Sequence, residues 1–209
     1  MSAGSVNRDK GIDILIEAAA KLRLKGFDDF SVDVFGKIGD ASLGEMVREL
    51  GLESHVILRG PSPHAELMEL FKDYDVFAFP TQEREPFGMA ALEAASRGCV
   101  PVITRTCGIG EWLVHGVHCL KAERSAESFA TILHQAATNA VALVPIARRA
   151  EAACWRDFHL DAILPRIESV LFDAAHEPRT ATLGPAELDK MARMAEQLAE
   201  SLVQEAASA

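Results

Sequence analysis

Two carboxylates eight positions apart, Glu85 and Glu93, bracket the segment Pro86-Phe-Gly-Met89. Ionised carboxylates accept hydrogen bonds and do not donate them, so such a pair suits a ligand rich in hydroxyls. Pro86 fits the first position of a helix. A helix from about Pro86 to Arg97 would leave the N–H groups of Phe87, Gly88 and Met89 without helical acceptors. Together with the helix dipole, those groups offer a place for phosphate or sugar oxygens. Gly88 would let a ligand approach the backbone where a Cβ would obstruct it. Eight residues of helix rise about 12 Å, which is about the span from a hexose across a diphosphate to a ribose. Spacing alone leaves a plainer account equally open, in which Glu85 caps the helix and Glu93 is solvated.

Other candidate chemistry is weaker. The four cysteines, Cys99, Cys107, Cys119 and Cys154, form no C-x-x-C pair, so neither a zinc site nor a redox pair is signalled. Reduced, mostly buried thiols are the expectation. His115 and His118 could share a face but have no third ligand nearby, and no metal site is expected. Asp73-Tyr-Asp75 forms a D-x-D string, but it leads into an apolar strand and reads as structural. The formal net charge of −10 disfavours nucleic acid or an anionic membrane as the main partner, since both attract basic surfaces. No apolar run approaches the roughly 20 residues that span a bilayer. The start, Met-Ser-Ala-Gly-Ser, lacks the layout of a secretory signal. A cytoplasmic protein is expected.

The elements that must position these residues follow from the apolar pattern. Ile12, Leu15, Ile16, Ala19 and Leu22 recur at helical spacing, with Gly26 as a stop. Val32 to Phe35 is a short strand ending at Gly36. Asp40 can cap a helix through Leu43, Met46, Val47 and Leu50, closed by Gly51. Val56 to Leu58 is a strand running to Arg59 and Gly60. Pro63 opens a helix with Leu67, Leu70 and Phe71. Asp75 to Pro80 reads as a fully buried strand, and Val100 to Thr104 as another. His118 to Lys121 precedes a helix from Ala126 to Thr138. Strands alternating with helices imply an α/β fold, with a parallel sheet covered by helices on both faces. Ligands of such sheets bind outside the carboxyl ends of the strands. The loops to watch are therefore Gly36 to Asp40, Arg59 to Ser62, Thr81 to Pro86 and Arg105 to Glu111. Beyond about Ala150 the chain reads as helical, with a break near Pro165. The expected organisation is a domain over 1–175, a linker over 176–185 and an amphipathic helix over 186–209. That last helix carries Leu188, Met191, Ala195, Leu198 and Leu202, a seam that could pack on its own domain or dimerise.

With these residues in place the sequence resembles the carboxyl-terminal domain of the family 4 retaining glycosyltransferases, one Rossmann-like half of a GT-B fold. Glu85-Pro-Phe-Gly-Met-Ala-Ala-Leu-Glu93 is similar to that family's E-x7-E motif. Lys10-Gly-Ile-Asp-Ile-Leu-Ile-Glu-Ala resembles its K-G-x-D-x-L-I-x-A segment. Val34-Phe-Gly36 with Gly39, Asp75 to Pro80, Gly108-Ile-Gly-Glu111 and Trp155 follow in order, so the likeness runs from about Gly4 to Ala175. The resemblance implies roles. Glu85 would hold hydroxyls of the donor sugar, and Phe87, Gly88 and Met89 would offer backbone N–H groups to sugar and phosphate. Glu93 would accept from the ribose, and Lys10 would neutralise the diphosphate as the glycosidic bond breaks. Arg8 and Arg59 are further donor-binding candidates. No metal is implied.

There are departures from the family pattern. Ser5 stands where an arginine is usual, with Arg8 as a substitute from the same loop. Cys107 and Gly110 replace a common glycine and proline. The family's domain opens with a β-strand ahead of the Lys10 loop, and this chain is expected to lack that first central strand. An amino-terminal, acceptor-binding domain is expected as the missing partner. The implied function is to bind a nucleoside-diphosphate sugar in a hexosyltransferase, the segment alone transferring little. Two other readings share the residues: a nucleotide-sugar epimerase or hydrolase half, and a non-catalytic domain that binds a nucleotide or a partner protein.

Overall fold

The computed structural model describes residues 1–81, 85–176 and 193. Its elements run β1 (Ser2–Ala3), α1 (Ile12–Leu24), β2 (Val32–Phe35), α2 (Ser42–Glu49), β3 (Val56–Gly60), α3 (His64–Leu70) and β4 (Val76–Phe79). They continue α4 (Met89–Ala95), β5 (Val100–Thr104), β6 (Leu120–Ala122), α5 (Ala126–Thr138), α6 (Ala140–Phe158) and α7 (Leu160–His176), with 3-10 turns at Phe71–Asp73 and Gly108–Glu111.

All strand pairs are parallel, in two sets: β1 beside β2 beside β3, and β4 beside β5 beside β6. Met1 joins the sets. Its ammonium donates to the Val76 carbonyl at 2.7 Å, and its own carbonyl accepts from Ala78 N at 2.8 Å. The strand order across the sheet is therefore 3-2-1-4-5-6. The expectation that the first central strand is missing is corrected. It is present as a two-residue strand, Ser2 opposite Val34 and Ala3 opposite Phe35. So few residues carry no legible strand pattern, and their pairing is decided by the longer strands on either side.

Alternation along the strands divides the core. Phe77, Phe79 and Ile103 are buried with Ala91, Ala94 and Ala95 of α4, and with Ala150 and Cys154 of α6. Leu67 and Met68 of α3 pack against that cluster. Ala78 and Val34, pointing the other way, are buried with Leu15 and Ile16 of α1 and with Leu43 and Val47 of α2. Val102 joins Phe129 and Ala130 of α5 on that same side. Side chains of period two on a sheet between two helical layers explain this sorting. Each large apolar side chain so buried contributes about 1.5–3 kcal/mol. All four cysteines are free and buried, as expected, and burial pushes the thiols of Cys99 and Cys154 up to about 12.

The chain separates into two compact units, Met1–Ala162 and Ile163–Ala209. None of the residues of α7 is buried; Leu164, Ile167 and Leu171 are among its exposed apolar side chains. The break expected near Pro165 is instead at His159, between α6 and α7, and Pro165 lies inside α7. Apart from His176 and Arg193, the expected linker (176–185) and last helix (186–209), with any dimerisation through it, lie outside the described residues. Among the described residues no single helix is long and apolar enough to cross a membrane.

Candidate functional site

In the order 3-2-1-4-5-6 the chain leaves the sheet in opposite directions from β1 and β4, which makes their carboxyl ends the natural ligand crevice. The loops that follow these two strands carry Lys10 and Glu85.

The β1–α1 loop is tightly turned. Asn7 Oδ1 accepts from Lys10 N at 3.0 Å, and Gly11 N donates to the Arg8 carbonyl at 3.0 Å. Gly11 has φ 68°, and a Cβ there would lie 1.9 Å from the Pro80 carbonyl oxygen. Only glycine permits both the left-handed backbone and this approach, so the loop rests directly on the end of β4. Lys10 is carried across with it. Its Nζ pairs with Glu85 Oε2 and lies 5.9 Å from the centre of the Phe79 ring. The lysine side chain is 35% exposed and that of Glu85 15%, so the pair sits at a partly sheltered rim.

Glu85 is fixed from the sheet side as well. Thr81 Oγ1 donates to Glu85 Oε2 at 3.4 Å. Thr104 Oγ1, at the end of β5, donates to the Thr81 carbonyl at 3.1 Å. The backbone on either side is tied to the Gly108–Glu111 turn. Gly108 N donates to the Glu85 carbonyl at 3.1 Å and Ile109 N to the Phe87 carbonyl at 2.5 Å, while Cys107 Sγ donates to that same Phe87 carbonyl at 3.5 Å.

The helix expected to begin at Pro86 begins at Met89, with Gly88 as its cap at φ 102°. The turn tied to Phe87 and the left-handed Gly88 hold this stretch out of the helix. The N–H groups without helical acceptors are consequently those of Met89 and Ala90, with Gly88 beside them. The uniform rise of about 12 Å between the two carboxylates does not apply, because Glu85 to Gly88 is not helical. Glu93 lies in α4, where its Oε1 is 3.1 Å from Nε2 of His64, the first residue of α3.

The structure therefore brings together Lys10, Glu85 and the backbone from Phe87 to Met89, with Glu93 farther along the same segment. It does not bring in the two arginines. Arg8 is bound by Asp40 at 3.2 Å, Asp13 at 3.5 Å and Ser42 at 3.4 Å. Asp40 is held below the usual carboxylate range by hydrogen bonds from Ser42 and by Arg8. Arg59 turns back along the sheet to the buried Asp33, Nε to Oδ1 at 2.6 Å. Tyr74 donates to the other oxygen of Asp33 at 2.7 Å. This also gives the D-x-D string its place: Tyr74 binds Asp33, and the Asp75 carbonyl accepts from Val100 N at 3.0 Å. Among the described residues no group of three His, Cys, Asp or Glu side chains could hold a metal. His115 and His118 accept backbone N–H groups of Lys121 and Val114 instead. A cavity of about 630 Å³ opens at the other end of the sheet, among Phe27, Phe30, Val32 and Asp75, away from Lys10 and Glu85.

Thr81, Thr104, Asp33 and Tyr74 were not singled out from the sequence. Thr104 ends β5 and Thr81 lies just beyond β4, both beside loops that were expected to line the crevice, which is the one signal that could have found them.

Residues 1–151 match the family model described as "Glycosyl transferases group 1". D-inositol 3-phosphate glycosyltransferase of Arthrobacter sp. (strain FB24) is 33% identical over 118 residues, covering 54% of this chain and 28% of that protein. Mannosylfructose-phosphate synthase of Agrobacterium fabrum is 29% identical over 136 residues, covering 59% and 29%. The chain thus spans under a third of the length of these curated relatives. Among solved structures, Anabaena Alr3699/HepE in complex with UDP-glucose superposes with a TM-score of 0.73 at 24% identity, over 82% of this chain and 48% of that one. The C-terminal domain of LpcC from Francisella tularensis gives 0.65 at 22% identity, over 73% and 82%. With the family model spanning most of the chain and a solved carboxyl-terminal domain sharing its fold, the chain belongs to the group 1 glycosyl transferases, as the carboxyl-terminal half of their GT-B fold.

Proposed function

We propose that this half binds a UDP-sugar and presents its hexose for transfer, with retention, to an acceptor hydroxyl. The observation that carries the reading is the Lys10–Glu85 pair at the crevice between β1 and β4, the cation on one loop and the carboxylate on the other. A nucleotide sugar has a dianionic diphosphate beside a ring of hydroxyls. It can take both partners of the pair at once: phosphate oxygens draw Lys10, and sugar hydroxyls donate to Glu85.

In the reaction the bond between the anomeric carbon and the diphosphate oxygen breaks, and one from that carbon to the acceptor oxygen forms on the same face. The acceptor proton passes to the departing diphosphate, so this half need supply no base. Lys10 stabilises the charge that collects on the leaving group; a preorganised cation does this without reorganisation. Glu93 releases His64 and accepts from the ribose. The acceptor is held by an amino-terminal domain in the whole enzyme. The choice of uridine is supported by the UDP-glucose complex of HepE.

Calorimetric titration of the chain with UDP, GDP and ADP tests this reading, repeated on Lys10→Ala and Glu93→Ala. Saturable binding of UDP, weakened in both variants, is expected. Equal or absent binding of all three nucleotides contradicts it.

A further inference from the structure

We infer that Thr81 is a positioning residue for the donor sugar, holding Glu85 in place when Lys10 leaves it for the diphosphate; this rests on the donor-binding reading above. Among the described residues, Glu85 Oε2 has two partners of different kinds. Lys10 Nζ comes from another loop on a long, partly exposed stem. Thr81 Oγ1 comes from two residues past the end of β4, on a residue only 2% exposed. A dianionic diphosphate attracts an ammonium more strongly than one carboxylate does, so donor binding draws Lys10 away. Glu85 then loses its counter-ion at the moment it has to accept from the sugar.

Thr81 is built to stay. Its carbonyl accepts from Thr104 Oγ1 at 3.1 Å, and Thr104, also 2% exposed, is the last residue of β5. The carboxylate is thereby tied to two adjacent strands through two buried threonines. A buried hydroxyl without a partner is costly, and a valine would fill the same volume. The hydroxyl is therefore explained by the group it binds. Donor binding becomes an exchange in which Lys10 moves and the Glu85–Thr81–Thr104 chain does not. The consequence is specific: Thr81 contributes to binding of the sugar part of the donor and not to the nucleotide part.

The test is calorimetric titration of the 209-residue chain with UDP and with UDP-glucose, on wild type, Thr81→Val, Thr81→Ser and Thr104→Val. Wild type is expected to bind UDP-glucose more tightly than UDP. Thr81→Val should lose about tenfold in UDP-glucose affinity, as for one hydrogen bond to a charged group, with UDP affinity unchanged. Thr81→Ser should keep the preference, and Thr104→Val should weaken it less than Thr81→Val does. Unchanged UDP affinity shows that each variant is folded. A Thr81→Val chain that keeps the full preference overturns the inference and leaves the donor-binding reading standing, as does equal loss in the valine and serine variants. A wild type that binds UDP but shows no preference for UDP-glucose overturns the inference alone, and one that does not bind UDP overturns the donor-binding reading and the inference with it.

Discussion

The Arg59–Asp33 and Lys10–Glu85 pairs of this sheet differ in how firmly they are held. Asp33 is buried within β2, its two oxygens taken by Arg59 and Tyr74 at 2.6 and 2.7 Å. Neither partner can leave without stranding a buried charge, a situation that costs far more than a surface pair returns. Glu85 lies at the end of the crevice, with one partner on a buried residue and one on a partly exposed stem. Side-chain types alone would rank Arg59 as the stronger phosphate ligand, since a guanidinium binds phosphate in a planar fork. The donor-binding proposal ranks Lys10 first, because its carboxylate lies at the partly sheltered rim while that of Arg59 is buried in β2.

The comparison breaks most completely if the crevice can form without the close loop contact. Gly11→Val places a branched Cβ 1.9 Å from the Pro80 oxygen at a positive φ and should lower stability by more than about 2 kcal/mol. Gly26→Ala, at φ 79° with nothing within 4 Å, is the control and should cost about 1 kcal/mol; thermal unfolding of both variants reads the difference. Lys10→Ala should weaken UDP binding about tenfold or more with little change in melting temperature, because a partly exposed ion pair adds little stability.

Asp33→Ala should do the reverse. It is expected to lower stability by about 2 kcal/mol, the half-exposed Arg59 discounted for solvent screening, with UDP affinity unchanged. Denaturant unfolding and calorimetry on the same sample decide that case. Tyr74, the single tyrosine of the sequence, reports on the same cluster. Burial first, then its hydrogen bond to the Asp33 carboxylate, raises its pKa from 10.0 to about 12. The fold thus favours the neutral phenol. The stability this gives is full below pH 10.0 and is lost as pH rises toward 12. Phenolate absorbance in the native chain should therefore rise later than in the unfolded chain. The smallest effect is assigned to Arg59→Ala, which should leave UDP binding unchanged in the same titrations.

Much of the fold is legible in the sequence because its signals are local. The apolar spacing of Ile12 to Leu22 yields α1 with its bounds nearly right, and the helix read from Ala126 to Thr138 is α5 to the residue. The buried run from Val76 to Phe79 reads as a central strand. What fails is set by contacts distant in sequence. β1 is a strand only because Val34 and Val76 lie on either side of it. The start of α4 is delayed by a turn some 20 residues later, whose Ile109 N takes the Phe87 carbonyl. At the crevice, the structure gathers Lys10, Glu85 and Gly88 of the motif residues, with Glu93 farther along the same segment. The order of motifs misplaces Arg59, since nothing near it in the sequence shows that Asp33, 26 residues back, captures it. Thr81 escapes notice for the same reason: its partner Thr104 is on another strand.

The central claim is that Glu85 reads the sugar while Lys10 reads the diphosphate. Glu85→Gln, which keeps the shape and removes the charge, tests it most directly when titrated with UDP and with UDP-glucose. The account predicts that the preference for UDP-glucose disappears, while UDP binds at least as tightly as before because Lys10 has lost its competing carboxylate. A variant that still prefers UDP-glucose as strongly as wild type, or that loses both ligands equally, would contradict it.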